Sequence, residues 1–267
     1  MPTERPGGGE PVPAEPREVR LLAPAGFPYV EPGDSLPGLI AATLSRNAIP
    51  LREGDVVVLA QKVVSKAEGR YVDLADVDPS PRARELAGIC GKDPRLVELI
   101  LSESTAVLRC RPGVIIVRHR LGLVLANAGI DQSNIEHGER QRALLLPLNP
   151  DRSASAIRSA LAAGGADVAV LIVDSIGRAW RLGTTGLCIG AAGLRTLDDM
   201  RGQTDLFGRT LVSTVVATAD EIAAAASMLM GQAREASPLV VMRGLALRRE
   251  DGSAQDIVRP FEEDLFP

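Results

Sequence analysis

Aromatic side chains make up only 3% of this 267-residue chain, which leaves little for stacking on nucleic-acid bases. Positive charge is not in excess either. The net charge is −4 and the pI 5.4, so no basic field favours a nucleic-acid partner. His119 and His137 are the only histidines, which excludes a three-histidine zinc site, and no HExxH pattern occurs. Cys90, Cys110 and Cys188 are odd in number and far apart, with no CxxC. That excludes a disulfide framework and a zinc ribbon, and fits a reducing compartment. No apolar run approaches the ~20 residues that span a membrane. The phosphate signatures GxxxxGK(S/T) and strand-borne GxGxxG are both missing, so neither a Walker P-loop nor a Rossmann fingerprint is present.

Residues 1–17, rich in Pro, Gly and Glu, read as a disordered tail. They carry neither a signal-peptide core nor transit-peptide composition, and the expectation is a cytoplasmic protein. The remainder, 45% hydrophobic over the whole chain, can bury a substantial core. Strands are expected at 19–22, 55–59, 105–110, 114–117, 121–125, 167–173, 210–217 and 239–242. Helices are expected at 35–46, 81–88, 94–103, 153–163 (capped by Asp151 or Ser153) and 220–232. Pro112-Gly113 and His119-Arg120 mark turns between closely spaced strands, the latter solvated; elsewhere strands and helices alternate. The fold class is therefore α+β with mixed or antiparallel sheets. The stretch 177–205 lacks periodicity and reads as an irregular, functional segment, with Asp198-Asp199 opening a helix and Cys188 packing.

Two segments carry most of the chemistry: NAGIDQSN at 127–134 and VDSIGRAWRLGTTG at 173–186. Each sets an aspartate, Asp131 or Asp174, just beyond an apolar run, at the expected end of a buried strand. Two carboxylates brought together repel unless protonated or bridged by a cation, and beside phosphates that cation is Mg²⁺ or Mn²⁺. The plainer alternative is that both aspartates cap helices or turns. In VLAQKVVSKAEGR, Lys62 and Lys66 leave a buried strand as point charges suited to a phosphoryl group, or stand as ordinary exposed lysines. Arg178 and Arg181 flank Trp180, the only tryptophan. They form either an anion-binding fork beside a flat wall or a pair of stems packed over a half-buried ring.

Five segments occur together in order: GDVVVLAQKVVSKAEGR, RLGLVLANAGIDQSN, VLIVDSIGRAWRLGTTG, IGAAGL and TADEIAAAA. In this combination the chain resembles the γ-glutamyl ligases of the deazaflavin coenzyme F420, from about residue 19 to 244. The resemblance implies GTP-dependent addition of L-glutamate to the lactyl carboxylate of coenzyme F420-0, and then γ-linked addition to F420-1. It also implies two Mg²⁺ or Mn²⁺ ions, with K⁺ a further candidate, and an intertwined homodimer with its own α+β fold. No nucleic-acid or membrane partner is implied. Residues 18–267 would form one ligase domain, with room for two subdomains and no reductase-like domain after it.

Carried over residue by residue, the resemblance assigns Asp131, Asp174, Ser175 and Gln232 to the metals. It assigns Phe27, Pro28, Tyr29, Val30, Gln61, Lys66, Asn134, Met230 and Gly231 to the nucleotide. Lys66, Arg178 and Arg181 are the expected catalytic cations. Gln61 departs from the Ser or Thr expected there, and Leu182 and Gly186 stand where polar residues are expected in the substrate loop, which predicts a less polar acceptor pocket. The apolar character of the 220–232 helix agrees with a dimer. The alternatives are the same acyl-phosphate chemistry on another carboxylate or amino acid, and a catalytically silent nucleotide-binding protein of this fold.

Overall fold

The computed structural model describes residues 18–135 and 140–264; the expected 1–17 tail and His137 lie outside them. The first elements are β1 (Arg20–Leu22), α1 (Leu36–Arg46), β2 (Val56–Ala60), α2 (Gln61–Ala67) and β3 (Tyr71–Asp73). Then come α3 (Pro81–Cys90), α4 (Pro94–Ser102), β4 (Ser104–Arg111), β5 (Val114–His119), β6 (Val124–Ala126) and β7 (Arg142–Leu144). The last group is α5 (Pro150–Ala162), β8 (Ala169–Gly177), β9 (Thr184–Ala192), β10 (Asp198–Asp199), β11 (Val215–Val216), α6 (Thr218–Met230) and β12 (Leu239–Arg243).

The main sheet has the order β1-β12-β2-β8-β9, with β2 and β8 parallel and the other neighbours antiparallel. Strands β2, β8 and β12 carry apolar runs because both faces are covered. Val57, Leu59, Val170, Ile172 and Val241 point to α1 and α5, while Val56, Val58, Leu171, Val173 and Val240 point to α6. This period of two places successive side chains on opposite faces. A third cluster joins α3 and α4 to the β4-β5-β6 sheet. The α+β class and the mixed sheets agree with expectation.

Several elements differ from the reading of the sequence. Residues 61–67 form a helix rather than an extension of the strand before them. The stretch 177–205 is not irregular throughout, since β9 occupies nine of its residues. Of the expected 210–217 strand, Thr210 makes an isolated bridge to Thr204 and Val215–Val216 pairs with Asp198–Asp199, which therefore opens no helix. Between them lies an arm that exposes Leu206, Phe207 and Val212. The His119-Arg120 turn is not solvated, because His119 is fully buried. The alanines of α6 cover the sheet of their own chain, so this helix gives no reason of its own for a dimer.

Helix α5 is capped by Asn149, whose Oδ1 accepts from the Arg152 amide at 3.0 Å, and not by Asp151 or Ser153. Asp151 instead accepts the amides of Ala191 and Ala254, each at 2.8 Å. Along the outer side of β9, Asp220 accepts the Cys188 amide at 2.9 Å and Ser227 the Gly186 amide at 3.3 Å. Asn149→Ala should lower stability by about 1 kcal/mol, the usual worth of a cap, read as a shifted urea midpoint at unchanged slope. An unchanged midpoint would show the cap to be replaceable by water.

Candidate active site

Asp174 lies inside β8 rather than beyond its end, directly after a register shift between Ile172 and Val173. By strand alternation its side chain falls on the face that Ile172 and Ile176 share with α1 and α5. Asp131 reaches the same place from a different element. It follows a turn in which Asn127, Ala128 and Gly129 all have positive φ, and its N–H and C=O both bond Leu144, at 3.0 and 2.9 Å. Left-handed backbone is costly for residues with a Cβ, so a run of it is held by its surroundings. Gly129 has no freedom here: a Cβ would stand 2.8 Å from the Leu146 side chain.

Helix α2 supplies the partners. Gln61 Nε2 donates to Asp131 Oδ2 at 2.9 Å, and Ser65 Oγ donates to Gln61 Oε1 at 2.9 Å. Lys62 Nζ stands 3.3 Å from Asp131 Oδ1 and 3.5 Å from Ser133 Oγ. One turn on, Lys66 Nζ donates to the Asn134 carbonyl at 2.9 Å. Asn134, itself left-handed, donates through Nδ2 to the Ala233 carbonyl at 2.9 Å and so ties this loop to the segment after α6.

Electrostatics mark the pair. Burial, and after it the Asp131 charge, raise the Asp174 carboxyl to about 6, against the Ser175 amide, Lys62 and Gln61, which favour its anion. Burial raises Asp131 as well, opposed by Lys62 and Gln61. Lys66 is lowered by burial and by Lys62. Two crowded carboxylates with one ammonium against them are short of positive charge. Their oxygens suit a hard divalent cation. Among the described residues no three His, Cys, Asp or Glu side chains gather as a metal cluster, so further ligands would be hydroxyl, amide, phosphate or water oxygens.

Comparison with known proteins gives the family. A family model described as F420-0:Gamma-glutamyl ligase matches residues 26–244. The chain belongs to that family. It is 44% identical over 251 residues to the coenzyme F420:L-glutamate ligase of Methanothermobacter thermautotrophicus, covering 93% of this chain and 98% of that one. The protein of the same name from Methanopyrus kandleri is 45% identical over 262 residues, 96% of each chain. The one from Archaeoglobus fulgidus is 42% identical over 249 residues, 93% of this chain and 96% of its own.

The remaining expected site residues of this F420-0:gamma-glutamyl ligase family member scatter more widely. Ser175 follows Asp174 on β8, and its amide donates to Asp174 Oδ1 at 2.8 Å. Met230 is buried at the end of α6, Gly231 turns the chain with φ 70°, and Gln232 beyond it is exposed. Phe27 packs on the core and Val30 is buried, while Pro28 and Tyr29 are exposed. Arg178, Arg181 and Trp180 are exposed, Trp180 at 88%, so no arginine stem packs over a half-buried ring. Arg178 lines an open groove with Gly186, Asp220 and Glu221. Leu182 is fully exposed, but Gly186 sits in β9 against α6 and not in a loop. Lys62, read beside Lys66 as a candidate phosphate charge or an ordinary exposed lysine, is absent from the residues that the family resemblance assigns, yet it stands against Asp131. Its spacing of four from Lys66, matched by Gln61 and Ser65, becomes informative once the segment is a helix.

Proposed function

We propose that this chain catalyses GTP-dependent ligation of L-glutamate to the lactyl carboxylate of coenzyme F420-0, followed by γ-linked addition to F420-1, in the cytoplasm. A carboxylate does not react with an amine at neutral pH, because its oxygen is a poor leaving group. Transfer of the γ-phosphoryl group of GTP to that oxygen gives an acyl phosphate and GDP. Attack by the unprotonated glutamate amine then forms the amide and releases phosphate. The observation that carries this reading is the pairing of Asp131 with Asp174, from separate elements, inside a family of glutamate ligases.

Asp131 and Asp174 would hold Mg²⁺ or Mn²⁺, with Ser175 and Gln232 as further oxygen donors and K⁺ as an additional ion. Such cations neutralise charge on phosphate oxygens. Lys62 and Lys66 project from one helix face beside them and would meet the nucleotide phosphates, Lys66 held in place by the Asn134 carbonyl. Gln61 keeps Asp131 oriented. Phe27–Val30, Asn134, Met230 and Gly231 would border the nucleotide. Arg178 and Arg181, free of the metal pocket, suit an anionic group of the acceptor. The exposed apolar arm at 198–216 supports a homodimer. Incubation with F420-0, glutamate, GTP and Mn²⁺, followed by mass analysis, tests the reading. The expected product is heavier by one or more glutamyl units, with one GDP formed for each. GTP turnover without such a product would reassign the acceptor, and no turnover at all would leave a silent nucleotide-binding protein.

A further inference from the structure

Away from the carboxylate pair, Glu103 gathers an unusual set of donors. It closes the C-terminal end of α4 and is almost fully buried. Its Oε1 accepts from Arg70 at 3.0 Å and its Oε2 from Arg120 Nε at 3.0 Å. The buried His119 ring brings Nε2 to 3.4 Å of Oε2, while its Nδ1 accepts from the Leu121 amide at 3.0 Å. Burial pushes the Glu103 carboxyl up, but the His119 ring and the Arg120 and Arg70 charges outweigh it and hold the group at about 2.

Both guanidiniums also donate to one short piece of backbone. Arg70 Nε donates to the Leu146 carbonyl at 2.9 Å; Arg120 donates to those of Leu148 and Pro147, at 2.7 and 3.2 Å. That backbone continues β7, whose Leu144 exchanges both hydrogen bonds with Asp131. Leu146 is also the side chain that presses on Gly129 in the left-handed turn before Asp131. Arg70 itself follows α2, the helix that carries Gln61 and Lys62, and its carbonyl accepts from the Leu145 amide at 3.1 Å. One carboxylate thus orients two arginines that hold the 145–148 backbone against both sides of the Asp131 cradle.

We propose that Glu103 is a positioning residue for the metal site: through Arg70 and Arg120 it fixes the backbone that aims the Asp131 carboxylate. The inference rests on the reading of Asp131 and Asp174 as metal ligands. Without the Glu103 charge the two guanidiniums repel, release the 146–148 carbonyls and loosen Asp131, although no group touching the metal has changed.

The test is direct Mn²⁺ binding to the folded, nucleotide-free protein, followed by electron paramagnetic resonance of the free ion, with kcat measured alongside. Glu103→Gln should weaken Mn²⁺ binding about tenfold or more and lower kcat in parallel, the usual size for a residue that orients a ligand. Glu103→Asp, which keeps the charge, should recover part of both. Should Glu103→Gln fail to fold, Arg120→Lys keeps the charge but loses the fork to Pro147 and Leu148, and should weaken Mn²⁺ binding severalfold. Wild-type Mn²⁺ affinity in the folded variants, with only a lowered melting temperature, would overturn the inference and leave Glu103 as a stability element. Asp174→Asn separates the two readings. If it abolishes Mn²⁺ binding while Glu103→Gln does not weaken it, the positioning role fails alone. If Asp174→Asn binds Mn²⁺ normally, the metal assignment itself fails.

Discussion

Asp174→Asn should cut turnover by about a hundred- to a thousandfold, the size seen when one preorganised electrostatic group is removed from an active site, while making the metal-free protein more stable. The two effects share one cause. In the folded state the carboxyl titrates at about 6, above its ordinary 3.8. As pH rises from about 4 through 6, the unfolded chain gives up this proton before the folded one does, so the folded state loses stability. Above pH 6 that loss is complete and amounts to at most about 3 kcal/mol. Asparagine carries no such charge and its Oδ1 can still accept from the Ser175 amide. The variant should therefore melt several degrees higher at neutral pH without metal, and lose the part of its pH dependence between 4 and 6 that Asp174 supplies. Differential scanning calorimetry at a series of pH values in chelator reads this directly. Wild-type turnover at limiting Mn²⁺ would remove Asp174 from the site, and an unchanged pH dependence would remove its strain.

The second large effect is expected at Gly186. A Cβ there would lie 2.4 Å from the Ala223 carbonyl oxygen and 2.8 Å from Ser227 Cβ, so any side chain forces β9 and α6 apart. Overpacking of this kind costs about 1–3 kcal/mol, and a buried carboxylate adds desolvation. Gly186→Ala should lose about 3 kcal/mol in urea denaturation, and Gly186→Asp should leave little folded protein. Leu182→Asn, fully in solvent, should stay within about 0.5 kcal/mol. A change in acceptor preference can therefore be sought cleanly only at Leu182. A wild-type midpoint for Gly186→Ala would mean that β9 and α6 can separate freely.

How much of this could be read from the sequence depended on whether a local pattern survives packing. The β2 and β8 strands and helix α6 were legible, because apolar runs and helical spacing are set by the layers that cover them. So were Asp131 and Asp174 as a pair, since each closes or follows an apolar run. Strand β9 was not. Its Gly186 and Gly190 read as loop, yet each is required by a close approach, Gly190 because a Cβ would meet Pro150 at 2.6 Å. Helix α2 was hidden because it begins directly on the last residue of β2, with no side-chain cap to announce it. That one misreading removed the helical face on which Gln61, Lys62, Ser65 and Lys66 stand. Glu103 and His119 carried no signal either, because their meaning lies in partners from distant parts of the chain.

The outer side of β9 has a consequence for assembly. An edge strand with free amides is a template on which a strand from another chain can form new rungs. Here three rungs are already occupied by the side chains of Ser227, Asp220 and Asp151, two of them carboxylates. A strand arriving from solution would have to displace these acceptors and leave them unpaired before gaining a hydrogen bond of its own. Continuous sheet growth across molecules, the first step toward a fibril, is therefore closed at this edge.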